Sequence, residues 1–293
     1  MFERWSIILH GGARSIPLEQ RERNRVGCQN AAAIGVGILR DGGNALDAVI
    51  SVVKALEDDP TYNAGTGSVP NADGDYELDA AIMEGTHLNI GAVAGLIGVR
   101  NPVEIARMLL DELPVLLVGE GARTFAVRKG TALDAGASER VDLRHAGKQH
   151  DTVGCVALDR FGRMAVATST GGLTDQLAGR VGDAPIAGCG FYVDDMIGGV
   201  AISGDGESII RVTLASRVMR ALETFGPAHA ARTALTSLAR VGGEAGIIAL
   251  GKDGRFGVAF NSEQFAVAMA NDRMPDPRAG VEMSEYEDVV NDS

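Results

Sequence analysis

Apolar and polar positions change rhythm several times along the chain, most sharply at residue 151. Residues 130–151 are small and polar with no sustained apolar period, the pattern of a loop. Residues 152–158 then alternate with β-branched side chains, and a similar run covers 164–168. Asp159-Arg160-Phe161-Gly162 lies between them, so a hairpin of two strands is predicted. Upstream, 5–9 reads as a strand turning at His10-Gly11-Gly12-Ala13, where glycine lets the backbone approach another group closely. Residues 18–40 have helical composition. A second helix begins at Asn44, with Asp47 at capping distance, and places Ala48, Val49, Val52, Val53 and Leu56 on one broad apolar face. Strands are expected over 77–85, 88–99 and 115–118, with helices over 102–113, opened by proline, and 119–129. Later segments read as helices over 207–224 and 227–241, then strands over 246–250, 256–261 and 265–270. Residues 276–293 are acidic and poor in apolar side chains, the composition of a loose tail. Helices early in each half and strands around residue 152 predict a layered α/β protein with antiparallel sheets.

A chain of 293 residues can bury a sizeable core, and its 39 glycines imply many tight turns. The net charge of −12 would repel a phosphate backbone, which argues against nucleic acid as a partner. No stretch approaches a membrane span, and the first residues lack the basic region of a signal peptide. Cys28, Cys155 and Cys189 are odd in number and widely spaced, which suits a reducing cytoplasm. The five histidines offer no zinc spacing, His145 and His150 included.

Chemistry enters at Thr152. A threonine hydroxyl is a poor nucleophile unless a base takes its proton, and a free α-amine on the same residue, with a pKa of about 7.7–8.0, can be that base. The chain would have to be cut before Thr152; otherwise this is a strand-opening threonine. Alternation turns Thr152, Gly154 and Val156 to one face and Val153 and Cys155 to the other, so Cys155 is the poorer nucleophile. Adjacent side chains diverge, so His150-Asp151-Thr152 is no triad. Thr170 ends the returning strand, where its hydroxyl can orient Thr152 or simply close the strand. Arg180 and Asp183 either pair with each other or bind the two charges of an amino acid head. Glu57-Asp58-Asp59-Pro60 crowds carboxylates at a helix C-terminus, which is either a solvated acidic turn or a cation site. Residues 200–207 carry two glycines in a strand-to-helix turn, without the third glycine of a nucleotide fingerprint.

His150-Asp151-Thr152-Val153-Gly154, Ala167-Thr168-Ser169-Thr170-Gly171-Gly172 and Gly179-Arg180-Val181-Gly182-Asp183-Ala184-Pro185-Ile186 together resemble the plant-type asparaginase and isoaspartyl peptidase family. This family is one of the N-terminal-nucleophile hydrolases, and glycosylasparaginases are close cousins. The resemblance extends in ordered blocks over roughly residues 5–271. It implies a four-layer αββα sandwich whose precursor cuts itself between Asp151 and Thr152 into pieces 1–151 and 152–293, with (αβ)2 as the assembly.

The resemblance also implies roles. Thr152 is the nucleophile and Thr170 its neighbour, while Ser203 and the backbone N–H of Gly204 form the oxyanion hole. Arg180, Val181, Gly182, Asp183, Asp205 and Gly206 surround the substrate head, and Gly11, Gly12 and Asn63 assist at the cleavage site. No cofactor is needed for catalysis. A structural Na⁺ is expected on the carbonyls of Leu56, Glu57, Asp59, Tyr62, Ala64 and Thr66. The expected reaction is hydrolysis of L-asparagine and β-aspartyl dipeptides. Two departures stand out: serine at 203, where most members have threonine, leaves the hydroxyl's orientation unset, and Asp151 replaces the usual glycine, as in glycosylasparaginases. Glycosylasparaginase is therefore the alternative activity, and an amino-acid-binding protein that never matures is the alternative outside catalysis.

Overall fold

Alternating side chains on the central strands enter two different interiors, and this separates the molecule into layers. The computed structural model describes residues 4–133 and 151–291. Its elements are β1 (Ser6–Arg14), α1 (Leu18–Arg40), α2 (Ala45–Asp58), β2 (Leu78–Glu84), β3 (Ile90–Leu96), α3 (Pro102–Leu109), β4 (Leu116–Val118), α4 (Gly119–Arg128), β5 (Val153–Leu158) and β6 (Met164–Thr170). There follow β7 (Phe191–Asp194), β8 (Gly198–Gly204), α5 (Gly206–Val212), α6 (Leu214–Leu222), α7 (Pro227–Leu235), β9 (Ala245–Gly251), β10 (Phe256–Phe260), β11 (Gln264–Asn271), β12 (Met274–Gly280) and α8 (Glu287–Asn291).

One sheet runs β12-β11-β1-β5-β6-β2-β3-β4 and the other β10-β9-β8-β7. Their pairings are antiparallel apart from β3 with β4. Ile7, Leu9, Val153 and Cys155 join α1 to α4 in one core, with Leu39, Val52, Ile105 and Ala122. Ile8, Val156, Ala201 and Ile248 fill the gap between the sheets. A third core, including Val200, Ile209, Leu214, Ala230 and Ile247, lies between the smaller sheet and α5 to α7. The order is helix, sheet, sheet, helix, the expected sandwich. Each fully buried aliphatic side chain contributes about 1.5–3 kcal/mol, and a one-residue slip of β1 would exchange its two faces, so the register is strongly fixed.

Several boundaries differ from the sequence reading. β1 does not turn at its glycines but runs to Arg14, with a bulge between His10 and Gly12, because β11 continues to pair with it. The helix expected over 207–224 breaks at Thr213, which is left-handed at φ 50°. The strand-to-helix turn read over 200–207 is where β8 passes into α5, but the glycines at the start of β8 and the shortness of β7 gave too little alternation to show the rest of either strand. The tail is not loose: β12 pairs with β11, and Tyr286 and Val290 pack into the inter-sheet core. Its few apolar residues fall where that core needs them, while Glu282 and Glu285 pair with Arg21 and Arg25 on α1. Most of the polar segment before Thr152, with His145, Gln149 and His150, lies outside the described residues. Among the described residues no helix is long and apolar enough to cross a membrane.

Candidate active site

Thr152 immediately precedes β5 on the face that looks across the gap to β8. Its backbone N–H donates to Ser203 Oγ at 3.3 Å, and the Ala13 N–H donates to the same oxygen at 3.1 Å. A serine oxygen offers two acceptor positions and one proton. Both acceptor positions are engaged, so two backbone groups from β1 and the β5 approach fix the hydroxyl that the missing methyl left unset. Gly204, at φ 150°, has no room for a Cβ against the Glu244 carbonyl.

Thr170, at the end of β6, donates its hydroxyl proton to the Asp151 carbonyl oxygen at 2.6 Å. Behind it, Asn63 donates to the Gly172 carbonyl at 2.7 Å and accepts from the Gly171 N–H through its own carbonyl at 2.8 Å. Asn63 therefore holds the turn that follows Thr170 and does not meet the nucleophile itself. The Asp151 carboxylate pairs with the guanidinium of Arg14, and both side chains are buried. A side chain on Gly12, at φ 116°, would collide with that carboxylate. Gly11 is equally constrained, by Tyr62 and Cys28.

His10, whose ring meets the Thr152 backbone, is an alternative base. Its ring lies 5.4 Å from that of Phe265, and it fills the space a side chain on Gly154 would need. Burial pushes its pKa down to about 3, only partly offset by the Thr152 backbone. So weak a base cannot serve Thr152 near neutrality. Cys155 faces the helix-side core, and burial holds its thiol pKa well above the usual range.

Arg180 and Asp183 do not pair with each other. Arg180 meets Glu207 on α5 through Nε and Nη2, each at 2.9 Å, and its Nη1 donates to Gln176 Oε1 at a longer 3.4 Å, so a second carboxylate on the Nη1–Nη2 edge would have only that weak contact to displace. Asp183 is buried, and its Oδ2 has no hydrogen-bond partner among the described residues. Burial pushes its carboxyl pKa up to about 7, against the opposing pull of its own backbone N–H and Arg180. Gly206 lies against both groups, with no side chain between them. Asp205 accepts from Ser208 Oγ at 2.8 Å and adjoins Glu207, the partner of Arg180. Val181 and Gly182 form the link between Arg180 and Asp183, and the Gly182 N–H points at Asp79.

The acidic turn after α2 resolves differently from its charge pattern. Glu57 is buried and accepts from the Val103 N–H at the start of α3, and burial pushes its pKa up to about 8. Asp58 pairs with Arg100, and Asp59 accepts from the Thr61 N–H. The carboxylates are thus engaged locally. The backbone fits a cation of low charge better than the side chains do: Gly65 lies tight against the Glu57 carbonyl, and Gly67 against those of Tyr62 and Pro60. The Asp59, Tyr62 and Ala64 carbonyls accept only turn hydrogen bonds, at 3.2, 2.9 and 3.2 Å, and each keeps a lone pair. An oxygen-only set of carbonyls from Leu56, Glu57, Asp59, Tyr62, Ala64 and Thr66 suits a hard ion such as Na⁺.

Arg14, Glu77, Asp79 and Glu207 are neighbours of the site that the sequence reading passed over. Glu207, three residues past Gly204, and Arg14, two past the glycine pair, were near enough in sequence to be considered. Glu77 and Asp79 lie in a block that fits the resembled family and reads as a strand, with no role attached to either residue.

The Asparaginase family model matches residues 3–145 and 131–276. The isoaspartyl peptidase/L-asparaginase of Homo sapiens is 40% identical over 286 residues, covering 91% of this chain and 93% of that protein. The protein of the same name from Danio rerio is 38% identical over 284 residues, covering 90% and 91%. The isoaspartyl peptidase of Salmonella typhimurium is 40% identical over 289 residues, covering 88% and 92%.

Proposed function

The chain belongs to the asparaginase family, and on that premise we propose that it hydrolyses L-asparagine to L-aspartate and ammonia and cleaves β-aspartyl dipeptides. It does so as an N-terminal-threonine amidohydrolase, after cutting itself between Asp151 and Thr152. The observation that carries this reading is the convergence of Ser203 on the Thr152 nitrogen and of Thr170 on the Asp151 carbonyl oxygen.

In the precursor, Thr152 Oγ1 adds to the Asp151 carbonyl carbon, with Thr170 donating to the oxygen that gains charge. The C–N bond breaks as the nitrogen takes up the proton that the hydroxyl gives up, and water hydrolyses the resulting ester. A carboxylate is left at 151 and a free amine at 152. Thr152 is only 5% exposed, and Asp151 with Arg14 fills the space before it, so removal of Asp151 is also what admits substrate.

In the mature enzyme the α-amine accepts the hydroxyl proton as Oγ1 attacks the side-chain carbonyl of the aspartyl group. The Ser203 hydroxyl and Gly204 N–H stabilise the oxyanion. The proton leaves with ammonia or the departing amino acid, and water resolves the acyl ester. Arg180 takes the α-carboxylate on its open edge, and Asp183 takes the α-ammonium.

The Na⁺ loop acts in this reading as a brace for Asn63 and the Thr170 turn, apart from the chemistry. We propose (αβ)2 as the assembly: edge strand β4 exposes Leu116 and Val118 beside exposed Leu113 and Val115, an apolar margin that a second copy would cover. Cys28, Cys155 and Cys189, buried and unbridged, suit a cytoplasmic setting.

Asp151 is the one feature that favours a glycosylasparaginase. Turnover of L-asparagine, a β-aspartyl dipeptide and a glycosylated asparagine by the purified protein separates the readings. The first two are expected to be hydrolysed, and exclusive turnover of the third would reverse the assignment. A chain that stays full-length and hydrolyses none of them would instead be an amino-acid-binding protein.

A further inference from the structure

The loop bearing Arg180 and Asp183 has no regular secondary structure, yet it must hold two side chains at a fixed separation to read both charges of one small head group. Its hydrogen bonds lead to one place. The Gly179 N–H donates to Glu77 Oε1 at 2.8 Å and the Gly182 N–H to Asp79 Oδ2 at 3.4 Å. Glu77 immediately precedes β2 and Asp79 is its second residue, and their oxygens bracket Arg180 from both sides in sequence. Two further bonds continue the seam, from Asp175 N–H to the Pro70 carbonyl at 3.2 Å and from Ala72 N–H to the Gln176 carbonyl at 2.8 Å.

Each carboxylate is itself anchored. Glu77 Oε2 accepts from Asn71 Nδ2 at 3.0 Å, while Asn71 Oδ1 accepts from the Asp73 and Asp75 N–H groups, which fixes the amide's orientation. Asp79 Oδ1 accepts from the Gly95 N–H at 2.8 Å. Asp79 is also the β2 residue opposite Thr170 on β6. Both carboxylates are buried, at 8% and 3% exposure, whereas Gly179 is exposed, so the carboxylates reach from the interior to hold a loop that comes to the surface.

Resting on the proposed reading of Arg180 and Asp183, we propose that Glu77 and Asp79 are positioning residues: a carboxylate clamp at the start of β2 that sets the spacing of the aspartyl-head recognition loop and ties it to the strand paired with the one carrying Thr170. The clamp lies in the 1–151 piece and the loop in the 152–293 piece. After self-cleavage, recognition of the head group therefore depends on contacts between two separate chains. Self-cleavage needs Thr152, Thr170 and Ser203 but no bound head group, so it does not depend on the clamp.

Asp79→Asn, Asp79→Ala and Glu77→Gln are compared with wild type for the time course of self-cleavage, for kcat and KM on a β-aspartyl dipeptide, and for L-aspartate Kd by calorimetry on the mature protein. Glu77→Gln keeps side-chain volume but turns one amide against another, so it supplies the comparison if Asp79→Ala does not fold. Loss of a charged hydrogen bond predicts KM and the L-aspartate Kd raised about tenfold or more, together, with Asp79→Asn milder than Asp79→Ala. Self-cleavage should keep its wild-type time course, and kcat should stay within about threefold, since the clamp acts on binding and not on the acyl transfer. KM and Kd within about twofold of wild type, or loss of self-cleavage and kcat in step with KM, would overturn the clamp. Failure of wild type to self-cleave or to turn over substrate would instead remove the functional reading on which the clamp rests.

Discussion

Ser203 is where an apparent weakness of the sequence turns out to be compensated. A lone serine hydroxyl rotates freely, but this one is fixed by N–H groups from Ala13 and Thr152 and has its proton left to give. Replacing it with alanine removes an oxyanion donor and leaves two buried N–H groups unmet. A fall in kcat of about 10²–10³ is expected, with slower self-cleavage, measurable by steady-state kinetics and gel time course. Retention of full kcat would take Ser203 out of the mechanism.

Asp183 makes the second prediction at this scale. Burial raises its carboxyl to a pKa of about 7, so it becomes neutral as pH falls through that value, and a neutral acid cannot balance the substrate ammonium. The value of kcat/KM should therefore carry a limb near pH 7 from Asp183 in addition to the one that the Thr152 amine, with a pKa of about 7.7–8.0, sets on kcat as well, so that kcat/KM falls more steeply than kcat below about pH 7. Asp79, whose charge also raises Asp183, is itself raised to about 7, first by burial, so the observed limb belongs to the pair. A kcat/KM profile that falls no more steeply than kcat below about pH 7 would contradict this role.

Among the elements, the legible ones were those with a period. α1 has the bounds expected from composition, and α2 begins at its Asn44 cap, whose side chain accepts from the Asp47 N–H at 2.8 Å. β5 and β6 followed from alternation around the Asp159 to Gly162 turn. β8 did not, because Gly198, Gly199 and Gly204 dilute its pattern, although Ser203 on it completes the candidate site. Arg14 and the Glu77–Asp79 pair were illegible for a different reason: their partners are 137, 102 and 103 residues away, and only the folded sheet brings them together. The loop after α2 was legible in its motif but not in its charges: Asp58 pairs with Arg100, burial pushes the Glu57 carboxyl up to about 8, and Asp59 accepts from a backbone N–H. Its backbone carbonyls carry the prediction at this scale. Exchanging Na⁺ for a cation too large to enter, such as choline, should lower Tm in a manner reversed by titrating Na⁺ back, because an ion bound only by the folded state stabilises it. A Tm indifferent to Na⁺ would remove the ion from the loop.

At the scale of the molecule, the order of the larger sheet decides what self-cleavage can do. β1, β2, β3 and β4 come from residues before 152, whereas β5, β6, β11 and β12 come after, and the two sets are interleaved. β1 lies between β11 and β5, and the β5–β6 pair lies between β1 and β2. Cutting one peptide bond before β5 leaves every ladder intact, so the two pieces should remain together under native conditions and part only in denaturant. The cut instead changes chemistry locally, by giving Thr152 the amine that no neighbouring histidine can replace. Mass spectrometry of wild-type protein and a Thr152→Ala variant over time, with L-asparagine hydrolysis measured on the same samples, tests that claim most directly. The account predicts that wild type divides between Asp151 and Thr152 into two masses summing to the parent plus one water, with activity rising as the parent mass disappears, and that the variant stays whole and inactive. Cleavage at that bond together with asparagine hydrolysis in the Thr152→Ala variant, or full activity in wild type that remains uncut, would contradict it.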